Sequence, residues 1–285
     1  MTAGYGGHAT AILDKTGKPE YSVLVDRDLE AIKELKKIFN SKPKIIHKDF
    51  YEASKDLYLA DKKFDLILAD LGVSSPHLNE GKRGFSFQQD GPLDMRMDQG
   101  QQLTADTIIN SFSKEEINHI LKAFGEESKS DLIADAITKN RPIKSTTELA
   151  ALVSAVYGGY SQHHPATKTF QAFRIAVNNE LKLLTDSLSI LLKLLEPQGR
   201  LAIISFQSLE DRIVKQFFAS HSGNRYDSQL KLLTKHPIRA GPIEVAHNPR
   251  ARSAKLRAAV KIKRKGVVSN ANTGKEQIPY VQGKS

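Results

Sequence analysis

Phe64-Asp-Leu-Ile-Leu-Ala-Asp70-Leu-Gly-Val-Ser-Ser-Pro-His77 is the stretch that decides the fold. Its first seven residues make a near-continuous apolar run of strand length. Runs of this kind are buried on both faces, as in parallel sheets. The chain then turns through a polar, Pro-containing segment that opens on a carboxylate. A carboxylate at the carboxyl end of a parallel strand stands in the ligand crevice of an open α/β sheet. Arg200-Leu-Ala-Ile-Ile-Ser-Phe206 is a second run of the same type, and Tyr21–Val25 and Lys44–His47 are shorter ones. Between them, Ile32, Leu35, Ile38 and Phe39 stand at helical spacing within Leu29–Phe39, and Phe170–Leu195 reads as one long helix ending before Pro197 and Gly199. This alternation predicts an α/β sheet with right-handed crossovers. Lys255–Lys263 alternates apolar and basic residues and predicts a last, antiparallel edge strand.

The interval from Leu103 to His164 has another character. Ser113-x-x-Glu116 and Ser145-x-x-Glu148 have the form of capping boxes. Each precedes apolar residues at helical spacing: Ile117, Ile120, Leu121 and Phe124, then Leu149, Leu152, Val153 and Val156. The expected organisation is a discontinuous sheet domain, residues 1–102 and 165–265, carrying a small helical insert over 103–164. From Gly266 to Ser285 the composition turns polar and predicts a disordered tail.

At 285 residues with 40% hydrophobic and 26% charged content, the chain is long enough for a sizeable core. It has no run of 18 apolar residues of the kind that crosses a membrane and no basic-then-apolar leader pattern, so a cytoplasmic location is expected. The absence of cysteine excludes disulfides, thiolate metal sites and a cysteine nucleophile. The net charge of +10 is concentrated: Lys235–Lys265 holds ten Lys/Arg and one acid, Glu244. A localised basic segment of this kind suits a polyanion, through counterion release.

Gly4-Tyr5-Gly6-Gly7-His8-Ala9 fits the dinucleotide fingerprint, with Asp26 about twenty residues on at a strand end. The loop alone leaves two readings open. An NAD(P) oxidoreductase would hold the adenosine ribose on Asp26, and an S-adenosylmethionine (SAM) methyltransferase would do the same. The Asp70–His77 turn favours the second reading, because amino-group methyltransferases place the substrate amine at that strand end. The long loop after it, with Arg83-Gly-Phe-Ser-Phe87 and Asp90-Gly-Pro-Leu-Asp-Met-Arg-Met-Asp98, has the non-repetitive composition of a functional segment.

These motifs, with Gly6-Gly-His8, Val25-Asp-Arg-Asp28, His164-Pro-Ala-Thr-Lys-Thr-Phe-Gln171, Ser205-Phe-Gln-Ser-Leu-Glu-Asp-Arg212 and Asn248-Pro-Arg-Ala-Arg-Ser-Ala-Lys-Leu-Arg257, closely resemble the MraW/RsmH family of bacterial methyltransferases. The resemblance runs from Thr2 to about Val260. It implies a Rossmann-like, SAM-dependent methyltransferase sheet with the insert as a substrate-recognition domain. It also implies N4-methylation of a cytosine, position 1402 of 16S ribosomal RNA, near the decoding centre. The family's cofactor contacts fall on Gly6, Gly7, His8, Asp26, Phe50, Asp70 and His77. No metal is called for. Asp26 suits ribose hydroxyls and Phe50 an adenine face.

Asp70, Asp94 and the carbonyls of Val73–Ser75 are candidates to polarise the amine, although Asp94 reads equally as a partner of Arg96 or Arg83. Phe85 and Phe87 are candidates to stack on the base, with core packing the commoner outcome. Arg250, Arg252, Lys255 and Arg257 are the expected contacts to rRNA phosphates. Oligomeric state, monomer or homodimer, is left open.

Two departures from the family pattern stand out. Gln207 occupies a position where the family carries His. The family's first sheet strand, which leads into the glycine loop, has no counterpart before Gly4, so two unpaired strand edges, weak folding and weak activity are expected. That departure and Gln207 together keep a non-catalytic RNA-binding remnant as a third reading.

Overall fold

The computed structural model describes residues 2–40, 42–158, 164–223 and 227–262. The predicted tail from Gly266 lies outside them. The glycine loop opens α1 (Gly7–Thr16), and Gly6 sits at φ +87° at its N-cap. A Cβ at Gly6 would also press on Phe39, Ile38 and Leu35 at 3.3–3.4 Å, so glycine is needed here on both counts. β1 (Val23–Asp26) leads into α2 (Leu29–Phe39), capped by the Asp28 carboxylate, which accepts from Glu30 N–H. β2 (Lys44–His47) pairs parallel with β1, and α3 (Phe50–Leu59) follows, with the Asp49 carboxylate accepting from Tyr51 and Glu52 N–H. β3 (Phe64–Asp70) and the short α4 (Ser75–Asn79) complete this half.

The insert contains α5 (Ala105–Ser111), α6 (Lys114–Gly125), α7 (Ser130–Lys139) and α8 (Thr146–Tyr157). The Ser113/Glu116 capping box forms, and Ser145 caps α8 through Glu148 N–H. Ile117, Leu121, Ile133, Leu149 and Val153 are fully buried. Their core is continuous with Leu93, Met95 and Met97 of the preceding loop and with Phe170 and Phe173 beyond the insert.

Beyond the insert the expected single helix is two, α9 (Ala166–Asn178) and α10 (Glu180–Leu194). Asn179 breaks it in the left-handed region at φ +50°, which Asn tolerates better than most residues. The adjacent Asn178 explains the position. Its amide donates to Met95 O at 2.7 Å and accepts from Met97 N–H at 2.9 Å, pinning the long loop at the break.

β4 (Leu195–Ser205) starts earlier than expected. Its register against β3 jumps between Phe64↔Leu195 and Leu66↔Arg200, which absorbs Pro197 and Gly199. α11 (Ser208–Ser220), β5 (Leu230–Leu232), β6 (Ile238–Arg239), α12 (Pro242–His247) and β7 (Lys255–Lys261) follow. β7 is antiparallel, as expected, but it is not an edge. It lies between β4 on one side and β5 and β6 on the other.

The sheet is divided. β1 and β2 form one pair, and β3, β4, β7 and β5 form the main body with β6 on β7. Between β1 and β3 lies a slot of about 760 Å³, lined by Ala9, Leu13, Leu24, Leu57, Phe64 and Leu66 among others. Its carboxyl end is bridged. Ala3 N–H donates to Val25 O at 2.8 Å, and Asp70 N–H donates to Thr2 Oγ at 3.0 Å. Among the described residues no strand ladder joins β1 to β3.

Candidate active site

The carboxyl ends of β1, β3 and β4 open into one crevice of about 650 Å³. Gly4, Gly7 and His8 line it from the glycine loop, Asp26 from β1, and Phe50 from the start of α3. Asp70 through His77 line it from β3 and α4, and Glu180, Phe206, Glu210 and Arg250 from the far side.

The Asp26 carboxylate accepts Gly4 N–H at 2.8 Å on one oxygen and Asp28 N–H at 2.9 Å on the other. It therefore ties the glycine loop to the β1–α2 turn. Each oxygen retains a lone pair for a ligand hydroxyl. Phe50 is buried yet lines the crevice, so its ring is a wall and not a plug.

Asp70 is the unsatisfied group of the site. One carboxylate oxygen is buried without a hydrogen-bond partner, and the other lies 3.6 Å from His8 Nε2. Burial pushes its pKa above the ordinary carboxylate value, against the pull of His8. A buried carboxylate oxygen without a donor is costly unless something supplies one.

His77 is buried, with Nε2 2.7 Å from Asp28 Oδ2 and Nδ1 3.0 Å from Ser74 Oγ. Both ring nitrogens are committed to protein, so any contact it makes with a cofactor is through the ring face.

Two of the expected site groups take other positions. Asp94 does not line the crevice. It grips Arg96 with both oxygens, at 2.8 Å from Nε and 2.8 Å from a terminal nitrogen. Burial alone would raise its pKa, but the Arg96 bonds hold it below the carboxylate range. It is a brace for the loop, not a group facing the amine. Lys255 and Arg257 are engaged with an acid of α11. Arg257 is buried and holds Asp211 through two bonds of 2.7 and 3.2 Å, with Lys255 3.4 Å from the same carboxylate. Arg250 and Arg252 are exposed, and Arg250 stands at the crevice rim, donating to Asn79 Oδ1 at 2.5 Å.

Phe85 and Phe87 are core residues. Phe85 packs on the His77 ring at 4.8 Å, and Phe87 packs between His164 and Phe170.

Sequence reading missed the acidic back wall. Glu180 is buried and paired with Arg174 at 2.9 and 3.1 Å. Glu210 accepts Phe206 N–H at 3.0 Å, and burial, then the nearby Glu180, raises its pKa. Glu210 belongs to the Ser205–Arg212 motif, but its facing the crevice needs the tertiary fold. Gln207 is buried beside it at the N-cap of α11, where its side chain and that of Glu210 form a capping box.

The chain matches the MraW methylase family over residues 1–262. It belongs to that family. The Ribosomal RNA small subunit methyltransferase H of Halothermothrix orenii is 41% identical over 282 residues, covering 92% of this chain and 91% of its own. The proteins of the same name from Polynucleobacter necessarius and Synechocystis sp. are 43% and 45% identical over 277 and 268 residues. They cover 91% and 92% of this chain and 86% of their own lengths. Membership of the MraW methylase family sets aside the nicotinamide reading of the glycine loop. Among the described residues no helix is long and apolar enough to cross a membrane, and no cluster of His, Asp or Glu is arranged to hold a metal.

Proposed function

We propose that this chain methylates N4 of a cytosine in small-subunit ribosomal RNA, with SAM as donor. The observation that carries the reading is the unpartnered oxygen of Asp70, a residue that lines the same crevice as the glycine loop, Asp26 and Phe50. SAM supplies a methyl group already activated by a sulfonium charge. The residues present fit it. Gly7 lets backbone approach the ligand, with His8 beside it and Gly6 fixing the turn from behind, against α2, and Asp26 accepts from ribose hydroxyls. Phe50 packs on the base, and Asp70 receives an N–H. His77 closes the wall through its ring.

What remains for the protein is alignment, which is the larger part of catalysis when the leaving group is good. The cytosine N4 lone pair is delocalised into the ring, so an acceptor for its N–H raises its nucleophilicity. With Asp94 committed to Arg96, that acceptor is Asp70 or a carbonyl of Val73–Ser75. The base must leave any stack to reach this depth. Arg250 at the rim and the exposed Arg252 beyond it meet phosphates, and the helical insert over 103–164 forms the rest of the substrate-recognition surface.

The test is calorimetry with SAM, followed by transfer of labelled methyl to unmethylated small ribosomal subunits. Binding of SAM with label recovered as N4-methylcytidine is the expected result. RNA binding without SAM binding would instead favour the non-catalytic reading.

A further inference from the structure

Methylating an amino nitrogen leaves it with one proton too many, and a hydrogen-bonded chain leads inward from the crevice wall. The path rests on the methylation reading above. Ser74 lines the crevice in the same turn as Asp70, at the N-cap of α4. Its hydroxyl lies 3.0 Å from His77 Nδ1. Ser74 backbone N–H also points at Nδ1, at 3.2 Å. A ring nitrogen facing an N–H donor carries no proton, so Nδ1 is the acceptor and Nε2–H donates to Asp28 Oδ2 at 2.7 Å. Asp28 is buried and held by Arg83 at 3.4 Å and by Glu30 N–H at 3.1 Å. Burial would raise its pKa, but His77 and then Arg83 hold it below the ordinary value, so it stays charged beneath the ring.

We propose that Ser74, His77 and Asp28 form a relay that takes the proton from the methyl-accepting nitrogen. As the N–CH₃ bond forms, the sulfonium–methyl bond breaks and its electron pair stays on sulfur. One N4 proton then passes to Ser74 Oγ, while the Ser74 proton passes to His77 Nδ1. The resulting imidazolium is stabilised by Asp28, as in other hydroxyl–imidazole–carboxylate chains. The proton returns to solvent by the reverse path once product has left.

A simpler role exists for the first two residues. Ser74 and His77 stand three apart, as in a capping box, with the imidazole in place of the usual Glu or Gln. A cap does not need the second ring nitrogen on a buried carboxylate from another loop, and it does not need a hydroxyl. Two variants separate the roles. His77→Gln keeps the cap, since Gln is a standard residue there, but cannot accept a proton. Ser74→Asn keeps an N-cap side chain but has no hydroxyl.

In single-turnover methylation of unmethylated small subunits, each variant is expected to lose roughly 100-fold or more in rate. SAM affinity by calorimetry should fall far less than the rate, Ser74→Asn should melt near wild type, His77→Gln should melt lower because buried Asp28 loses its imidazole partner, and Ser74→Thr should restore most of the rate. Wild-type rates in either folded variant would overturn the relay and leave the methylation reading intact. Loss of SAM affinity in proportion to rate would overturn it too, by making His77 a cofactor contact only. A wild-type protein that binds SAM but methylates no rRNA would overturn both.

Discussion

Asp26 shows how one side chain does structural and binding work together. Its two oxygens hold Gly4 N–H and Asp28 N–H, so the loop that meets the cofactor and the turn that starts α2 share one anchor. Asp26→Ala should therefore weaken SAM binding by roughly 1.5–3 kcal/mol, the scale of lost charge-assisted hydrogen bonds. The effect should fall on SAM and not on RNA, because Asp26 lies inside the crevice and the exposed arginines lie at its rim, as Arg250 does, or beyond it. Calorimetry on folded mutant protein tests this, and an unchanged SAM affinity would remove Asp26 from the site. Asp70 differs in kind. It is not an anchor but an acceptor kept without a donor, and a burial cost of that sort persists in a fold when a ligand offsets it.

At the scale of elements, the basic segment divides in two. Arg250 and Arg252 precede β7 and face solvent, whereas Arg257, inside β7, is buried against Asp211 of α11. Reversing both Arg250 and Arg252 to Glu should lower RNA affinity, with melting unchanged. The salt dependence should flatten by about one log–log unit for each phosphate that is no longer neutralised. Arg257→Ala should do the opposite. It leaves Asp211 without its main partner and should cost about 3 kcal/mol of stability, with the RNA salt slope unaltered. Filter binding across a salt series, paired with thermal melts, distinguishes the two.

This division also marks what the chain's local pattern can and cannot reveal. Parallel strands, caps and the glycine loop were legible because each is a local signal: an apolar run, a Ser-x-x-Glu, a residue without Cβ. The pairing of Arg257 with Asp211, 46 residues away, was not legible, since a basic residue in an alternating strand looks the same solvated or buried. Asp94 was legible only as an even choice between crevice and Arg96. The break at Asn179 was hidden because apolar spacing continues through it, and the cause, Asn178 on Met95 and Met97, lies across the fold. β7 read as an edge because β5 and β6, three and two residues long, carry too little pattern to announce themselves.

Across the whole molecule, acid should act in two stages. Asp28, Asp94 and Asp211 are each held below the ordinary carboxylate range by a cationic or hydrogen-bonding partner. Each favours the folded state fully above the unfolded value of about 4 and loses that contribution as pH falls through its lower folded value. Glu210 and Asp70 carry the other sign. Burial raises them, so they disfavour folding at neutral pH, and that cost is relieved as pH falls through their raised values. Melting temperature should therefore hold or rise slightly on mild acidification and then fall steeply below about pH 4, and Glu210→Gln should remove part of the early rise. The slot between β1 and β3 presents two parallel edges and leaves Leu66 of β3 43% exposed, high for an apolar strand residue beside the core. Thr2 and Ala3 already sit at its carboxyl end, so a strand joined ahead of Thr2 would run parallel to both neighbours and pass directly into the glycine loop. Each ladder bond it made would contribute about 0.5–1.5 kcal/mol, against a total stability of about 5–15 kcal/mol. Extending the chain ahead of Thr2 by about seven Val-, Ile- and Thr-rich residues should raise the melting temperature by roughly 5 °C or more. SAM affinity should rise with it, because the loop would then be fixed from both sides. A Gly/Ser extension of equal length should do neither, having no side chains to fill the space beside Leu66. Equal melting of the two extended forms would mean that β1 and β3 close on each other in solution and that the slot admits no strand.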